Sequence, residues 1–126
     1  MSPFDAGTFA SLADVVGPRN CLRTPEDIAP YATDWRRAVG VAPVAVLRPA
    51  DTAQVAEAVR RCVQGGLAIV PAGGRTGLAG GAVALAAGPP AVVLSLERMN
   101  RIRSVDARDF SIVAEAGCVV QAVQQA

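Results

Sequence analysis

Near the start of the chain, Phe9, Leu12, Ala13 and Val16 recur at the spacing of one helix face. Asp5 or Thr8 is placed to cap that helix, and Gly17-Pro18 to stop it. Residues 19–42 lose any period and read as irregular and polar. Two short apolar runs follow, at 43–47 (P-V-A-V-L) and 67–70 (L-A-I-V). Runs of this length predict buried strands. Between them Val55, Val59 and Cys62 return to helical spacing. Asp51 and Gln54 resemble a capping box, and Gly65-Gly66 supplies the stop. Strand, helix and strand in so short a span predict a βαβ unit with parallel strands and a right-handed crossover.

The pattern resumes at 91–96 (A-V-V-L-S-L), a further buried strand. Residues 101–106 and 110–116 then read as a hairpin turning across 107–109. Gly117 ends the second strand. Cys118 to Ala126, with Val119, Val120 and Val123, begins a helix with no closing signal, as expected of a truncated domain. Tyr31 and Trp35 lie in the irregular stretch. They are expected to pin it to the core, with Trp35 or Arg36 bordering a ligand site as the sharper alternative.

Composition narrows the chemistry. The 126 residues suit a single domain, and an apolar share of 52% excludes a disordered chain. A formal net charge of +1, few aromatic residues and no basic block give no reason to expect nucleic acid. No segment reaches the roughly 18 apolar residues of a membrane span. The first residues lack the basic and apolar regions of a secretory leader, so a cytoplasmic location is expected. The three cysteines, at 21, 62 and 118, form no C-x-x-C pair and are expected to be reduced, mostly buried thiols. With no histidine, the chain holds neither Ser-His nor Cys-His catalysis. Any general base is expected to lie outside these residues.

Residues 71–81, P-A-G-G-R-T-G-L-A-G-G, directly follow the strand at 67–70 and hold five glycines in nine positions. Backbone without side chains can approach a ligand closely and turn its N–H groups on an anion. A phosphate is the expected guest, and a glycine-rich surface loop the bland alternative. The loop is not a Walker P-loop, because the chain has no lysine. Nor is it the G-x-G-x-x-G dinucleotide fingerprint, since its spacing is Gly74-x-x-Gly77-x-x-Gly80.

With the loop, the segment 98–102 (R-M-N-R-I) and the segment 115–118 (E-A-G-C) in this order, residues 30–126 resemble the first half of an FAD-binding domain of the vanillyl-alcohol oxidase and p-cresol methylhydroxylase type. The resemblance is nearest to the FAD-linked 2-hydroxyacid dehydrogenases, the group that includes D-2-hydroxyglutarate and D-lactate dehydrogenases and the FAD subunit of glycolate oxidase. It implies an α+β fold, a βαβ unit with further strands and a hairpin. Residues 1–42 would be a leading helix and approach segment, and 43–126 the first part of the FAD domain. It also implies that Gly73, Gly74, Arg75, Thr76, Gly77 and Leu78 line the pyrophosphate and flavin side, that Gly80 and Gly81 close the loop, and that Pro71 sets its start. Relatives with covalent flavin often carry histidine where this chain has Arg75, so FAD is expected to be non-covalent.

The implied activity of the intact protein is oxidation of a D-2-hydroxy acid to the 2-oxo acid. A quinone, a cytochrome or an electron-transfer flavoprotein would accept the electrons. Substrate pocket, catalytic groups and any divalent metal are expected beyond residue 126, and no catalytic side chain is assigned here. A sugar or alcohol oxidase of the same superfamily, or a non-catalytic FAD-binding fragment, are the alternatives.

Overall fold

The computed structural model describes residues 6–32, 42–74, 84 and 88–126. In chain order its elements are α1 (Ala6–Val16), β1 (Cys21–Leu22), α2 (Pro25–Ile28), β2 (Ala45–Leu47), α3 (Thr52–Gln64), β3 (Ala68–Ala72), β4 (Ala91–Ser95), β5 (Ile102–Asp106), β6 (Ser111–Ala114) and α4 (Val120–Gln124). The architecture is α+β, as expected.

Four strands form one sheet in the order β1-β2-β4-β3, and β5 and β6 form a separate antiparallel pair. β4 pairs in parallel with both β2 and β3. The expected βαβ unit is therefore parallel, but its two strands are not neighbours: α3 carries the chain past a space that β4 fills. The sequence explains the order. All five residues of β4 are buried, which suits a centre strand. β3 contains Pro71, which has no N–H to give a second neighbour, and so belongs at an edge.

Alternation along the strands divides the core. Ala45, Leu47, Val92 and Leu94 meet Phe9, Leu12 and Val16 of α1 and Ala58 and Cys62 of α3. On the opposite face Val46 and Val93 meet Ile28 and Tyr31. The two helices are also joined by polar contacts. Arg61 Nη1 donates to Ser11 O at 2.8 Å and to Ser11 Oγ at 2.9 Å, while its Nε donates to Glu57 at 2.7 Å. Hydrogen bonds from Arg60 and then Arg61 draw the Glu57 carboxyl down to about 2.

The start of α3 follows the capping prediction with one difference. Asp51 Oδ1 accepts from Gln54 N at 2.8 Å, but Gln54 Oε1 accepts in return from Ala50 N, one residue before the cap, at 2.8 Å. Within the stretch expected to be irregular, residues 19–32 are more regular than expected. β1 pairs antiparallel with β2 through two residues, too few to leave a period. Thr24 caps α2, with Pro25 at its first position and Glu26 and Asp27 in its first turn.

The hairpin turns where expected. Asp106 Oδ1 accepts from Arg108 N at 2.9 Å and from Asp109 N at 3.2 Å. Its base is fixed to the end of β4 by main chain. Gly117 N donates to Met99 O at 2.8 Å, and a Cβ at Gly117 would lie 1.7 Å from Leu96 O. Backbone on both sides leaves little room to relax. Gly117→Ala is therefore expected to destabilise the protein by about 2 kcal/mol or more, within the range for forced overpacking. Urea unfolding measures this; an unchanged midpoint would mean that the hairpin does not dock on this turn.

Candidate functional site

Parallel strands β3 and β4 end side by side, and the carboxyl ends of such strands are where open sheets of this kind bind ligands. A cleft of about 390 Å³ opens there, lined by Gly73, Gly74, Glu97, Asn100, Gly117, Cys118, Val119 and Ala122. Three stretches of chain meet in it: the residues after β3, the turn after β4, and the start of α4.

Hydrogen bonds bring the three together. Leu96 N donates to Ala72 O at 2.9 Å, which carries the β3–β4 ladder one step past the strands and sets the turn beside Gly73. Met99 N closes that turn onto Leu96 O, and Asn100 Nδ2 donates to Glu97 O at 3.2 Å. Glu115 secures the third stretch. Its buried carboxylate accepts from Arg101 N at 2.9 Å, Arg101 Nε at 3.1 Å and Arg103 Nη2 at 3.4 Å. The backbone N–H of Arg101, ahead of the two guanidinium groups, holds this carboxyl below its usual range.

Three of the described lining residues, Gly73, Gly74 and Gly117, are glycine and present only backbone to the cleft. Gly73 and Gly74 are exposed at its edge. Among the described residues, a Cβ at Gly74 would meet nothing within 4 Å, and one at Gly73 would come no nearer than 3.7 Å to Ala116 O. The open space at Gly74 is room for a ligand and not for packing. Among the described residues, an anion approaching Gly73 and Gly74 would meet main chain, which fits the pyrophosphate of a dinucleotide. Glu97 is the one acidic side chain among the described lining residues. The phenol of Tyr31 donates to its Oε1, and Arg48 Nη1 stands 3.9 Å away.

Of the predicted site residues, Pro71 is exposed near the end of β3, and Gly73 and Gly74 line the cleft. Arg75, Thr76, Gly77, Leu78, Gly80 and Gly81 lie outside the described residues, as do Trp35 and Arg36. Glu97, Asn100, Gly117 and Cys118 were not foreseen as site residues. For Asn100, Gly117 and Cys118 the only signal was that they belong to the segments carrying the family resemblance; Glu97 directly precedes one of them. Among the described residues no group of three or more acidic, cysteine or histidine side chains could hold a metal ion. Nor is any helix there long and apolar enough to cross a membrane.

Residues 43–126 match the family of the FAD binding domain, and the chain belongs to that family. Its cofactor is accordingly FAD. The chain is 39% identical over 116 residues to D-2-hydroxyglutarate dehydrogenase of Xanthomonas citri pv. viticola, covering 92% of this chain and 24% of that protein. It is 35% identical over 117 residues to the mitochondrial D-2-hydroxyglutarate dehydrogenase of Bos taurus, covering 93% and 21%. The chain thus spans about a fifth to a quarter of the length of these relatives. Among solved structures, alkyldihydroxyacetonephosphate synthase superposes with a TM-score of 0.82 at 18% identity, over 98% of this chain and 25% of that one. p-Cresol methylhydroxylase with substrate bound gives 0.77 at 21%, over 94% and 23%. These two share the fold expected from the sequence.

The three thiols are free but not alike. Cys62 is buried, as expected of a core residue; burial first and Cys21 second push its thiol up to about 11. Burial also raises Cys21. Contrary to the expectation of mostly buried thiols, Cys21 and Cys118 are both part-exposed, and Cys118 lines the cleft. At pH 8 iodoacetamide is expected to label Cys118 first and Cys62 last, since only the thiolate reacts and access limits it. Peptide mass mapping gives the order; early labelling of Cys62 would contradict the packing of α3.

Proposed function

We propose that this chain is the cofactor-cradling part of a flavoprotein that oxidises a D-2-hydroxy acid to the 2-oxo acid. The observation that carries the cradle is the cleft at the ends of β3 and β4, edged by the bare backbone of Gly73 and Gly74, with open space at Gly74 among the described residues. The names of the relatives support the substrate class, D-2-hydroxyglutarate foremost and D-lactate beside it. In this reading residues 1–42 lead into the domain and 43–126 form its first part.

Bound FAD supplies the two-electron acceptor for the hydroxy acid. The chain's own residues hold it in place. Main-chain N–H groups at Gly73 and Gly74, with Arg75, Thr76, Gly77 and Leu78 after them, engage the pyrophosphate and flavin side. Gly80 and Gly81 close the loop that Pro71 begins. Each hydrogen bond to a charged oxygen is worth about 1.5–3 kcal/mol, so a few suffice to retain the cofactor. Removal of the hydroxyl proton is assigned to a base outside these residues, and electrons leave to a quinone, a cytochrome or an electron-transfer flavoprotein. No nucleic-acid role is assigned.

Gly74→Val is expected to weaken FAD binding at least about tenfold while shifting the melting temperature by only a few degrees, because a side chain there fills ligand space and touches no core residue. Flavin-fluorescence titration against the parent decides it, and equal affinity in the two would remove the cradle assignment. FAD is expected to be held without a covalent bond, since position 75 is arginine and the chain lacks histidine. Acid precipitation should leave the flavin in the supernatant; flavin in the pellet would overturn this.

A further inference from the structure

Glu97 stands where an anion cradle should carry no negative charge. It lines the same cleft as Gly73 and Gly74, and its side chain is 42% exposed. Among the described residues only one of its oxygens is engaged: Oε1 accepts from the phenol of Tyr31, with Arg48 Nη1 at 3.9 Å. Tyr31 itself is buried in the core beneath the sheet, so the carboxylate is anchored from below. Oε2 has no hydrogen bond among the described residues. Beside it, Asn100 uses its Nδ2 on Glu97 O and keeps its amide oxygen for another partner.

A fixed carboxylate repels phosphate and attracts hydrogen-bond donors. The cleft is therefore polar in two senses, with bare main chain suited to an anion at the Gly73–Gly74 side and an acceptor at the Glu97 side. In a nucleotide the group next to a phosphate is a sugar or sugar alcohol, and about 390 Å³ is room for one such group with its phosphates. We propose that Glu97 recognises hydroxyl groups of the bound cofactor. Its Oε2 accepts from a ribose or ribityl hydroxyl, while Tyr31 and Arg48 fix the other oxygen. The proposal rests on the reading of this cleft as the FAD cradle and adds to it a residue that selects for a polyol next to the phosphates.

Calorimetric titration of the 126-residue chain with ADP, FMN and inorganic pyrophosphate tests it. Glu97→Ala should weaken the sugar-bearing probe about tenfold or more, the usual size of a hydrogen bond to a charged group. Pyrophosphate, which has no carbon-bound hydroxyl, should bind the variant as well as the parent, or more tightly once the repulsion is gone. A loss confined to ADP identifies the adenosine ribose, and a loss confined to FMN the ribityl chain. Glu97→Gln retains an acceptor and the Tyr31 contact, so it should lose less, and it serves if Glu97→Ala does not fold. If ADP and FMN bind both variants as tightly as the parent, Glu97 recognises nothing and the proposal fails while the cradle stands. A parent that binds neither FAD nor any of the three probes overturns the cradle itself and the proposal with it.

Discussion

The parallel pairing of β4 on both of its sides is the constraint from which the rest of the structure follows. Its five buried residues require neighbours on both edges and cover on both faces. β2 and β3 supply the edges, α1 and α3 one face, and the segment through Ile28 and Tyr31 the other. Because β3 and β4 run the same way, their carboxyl ends finish together. Two chain segments are thereby released at one place, and the cleft between them is a consequence of topology.

The cleft is completed by main-chain contact. Gly117 lies so close to Leu96 and Met99 that only a residue without Cβ fits. The bond from Gly117 N to Met99 O then seats the start of α4 opposite Gly73. Glu115, with its cluster of donors from Arg101 and Arg103, keeps the base of the hairpin from lifting away. Beyond that base the hairpin has little support. Val105, Phe110 and Val113 are exposed, in contrast to the close packing around β4. Binding by such a site would rest on fixed backbone donors, which lose little freedom when a charged ligand arrives.

Much of the fold was legible in the sequence, because periodicity and punctuation act locally. Phe9, Leu12 and Val16 marked α1, Asp51 and Gly65 bounded α3, and the turn after Asp106 set the hairpin. Strand order was not legible, since it depends on which strand can be buried on both sides; Pro71 pointed to an edge only once β4 was seen beside it. β1 and α2 were missed because two and four residues leave no measurable period. For the site, the glycines after β3 announced one wall. The other walls come from residues 97–100 and 117–122, which no local pattern ties to Gly73. They meet through hydrogen bonds between segments far apart in the chain, and Glu97 gained its meaning only from that meeting.

The central claim is that backbone at the ends of β3 and β4 receives the phosphates of FAD. Amide chemical-shift mapping by NMR during an FAD titration tests this most directly. A second cleft lies between α1 and α3, lined by Gly7, Ser11, Arg61 and Gln64. The account predicts saturable shifts at the amides of Gly73, Gly74, Gly117 and Cys118, with that second cleft unaffected. Shifts at Gly7, Ser11 and Gln64 with none at Gly73 and Gly74 would contradict it.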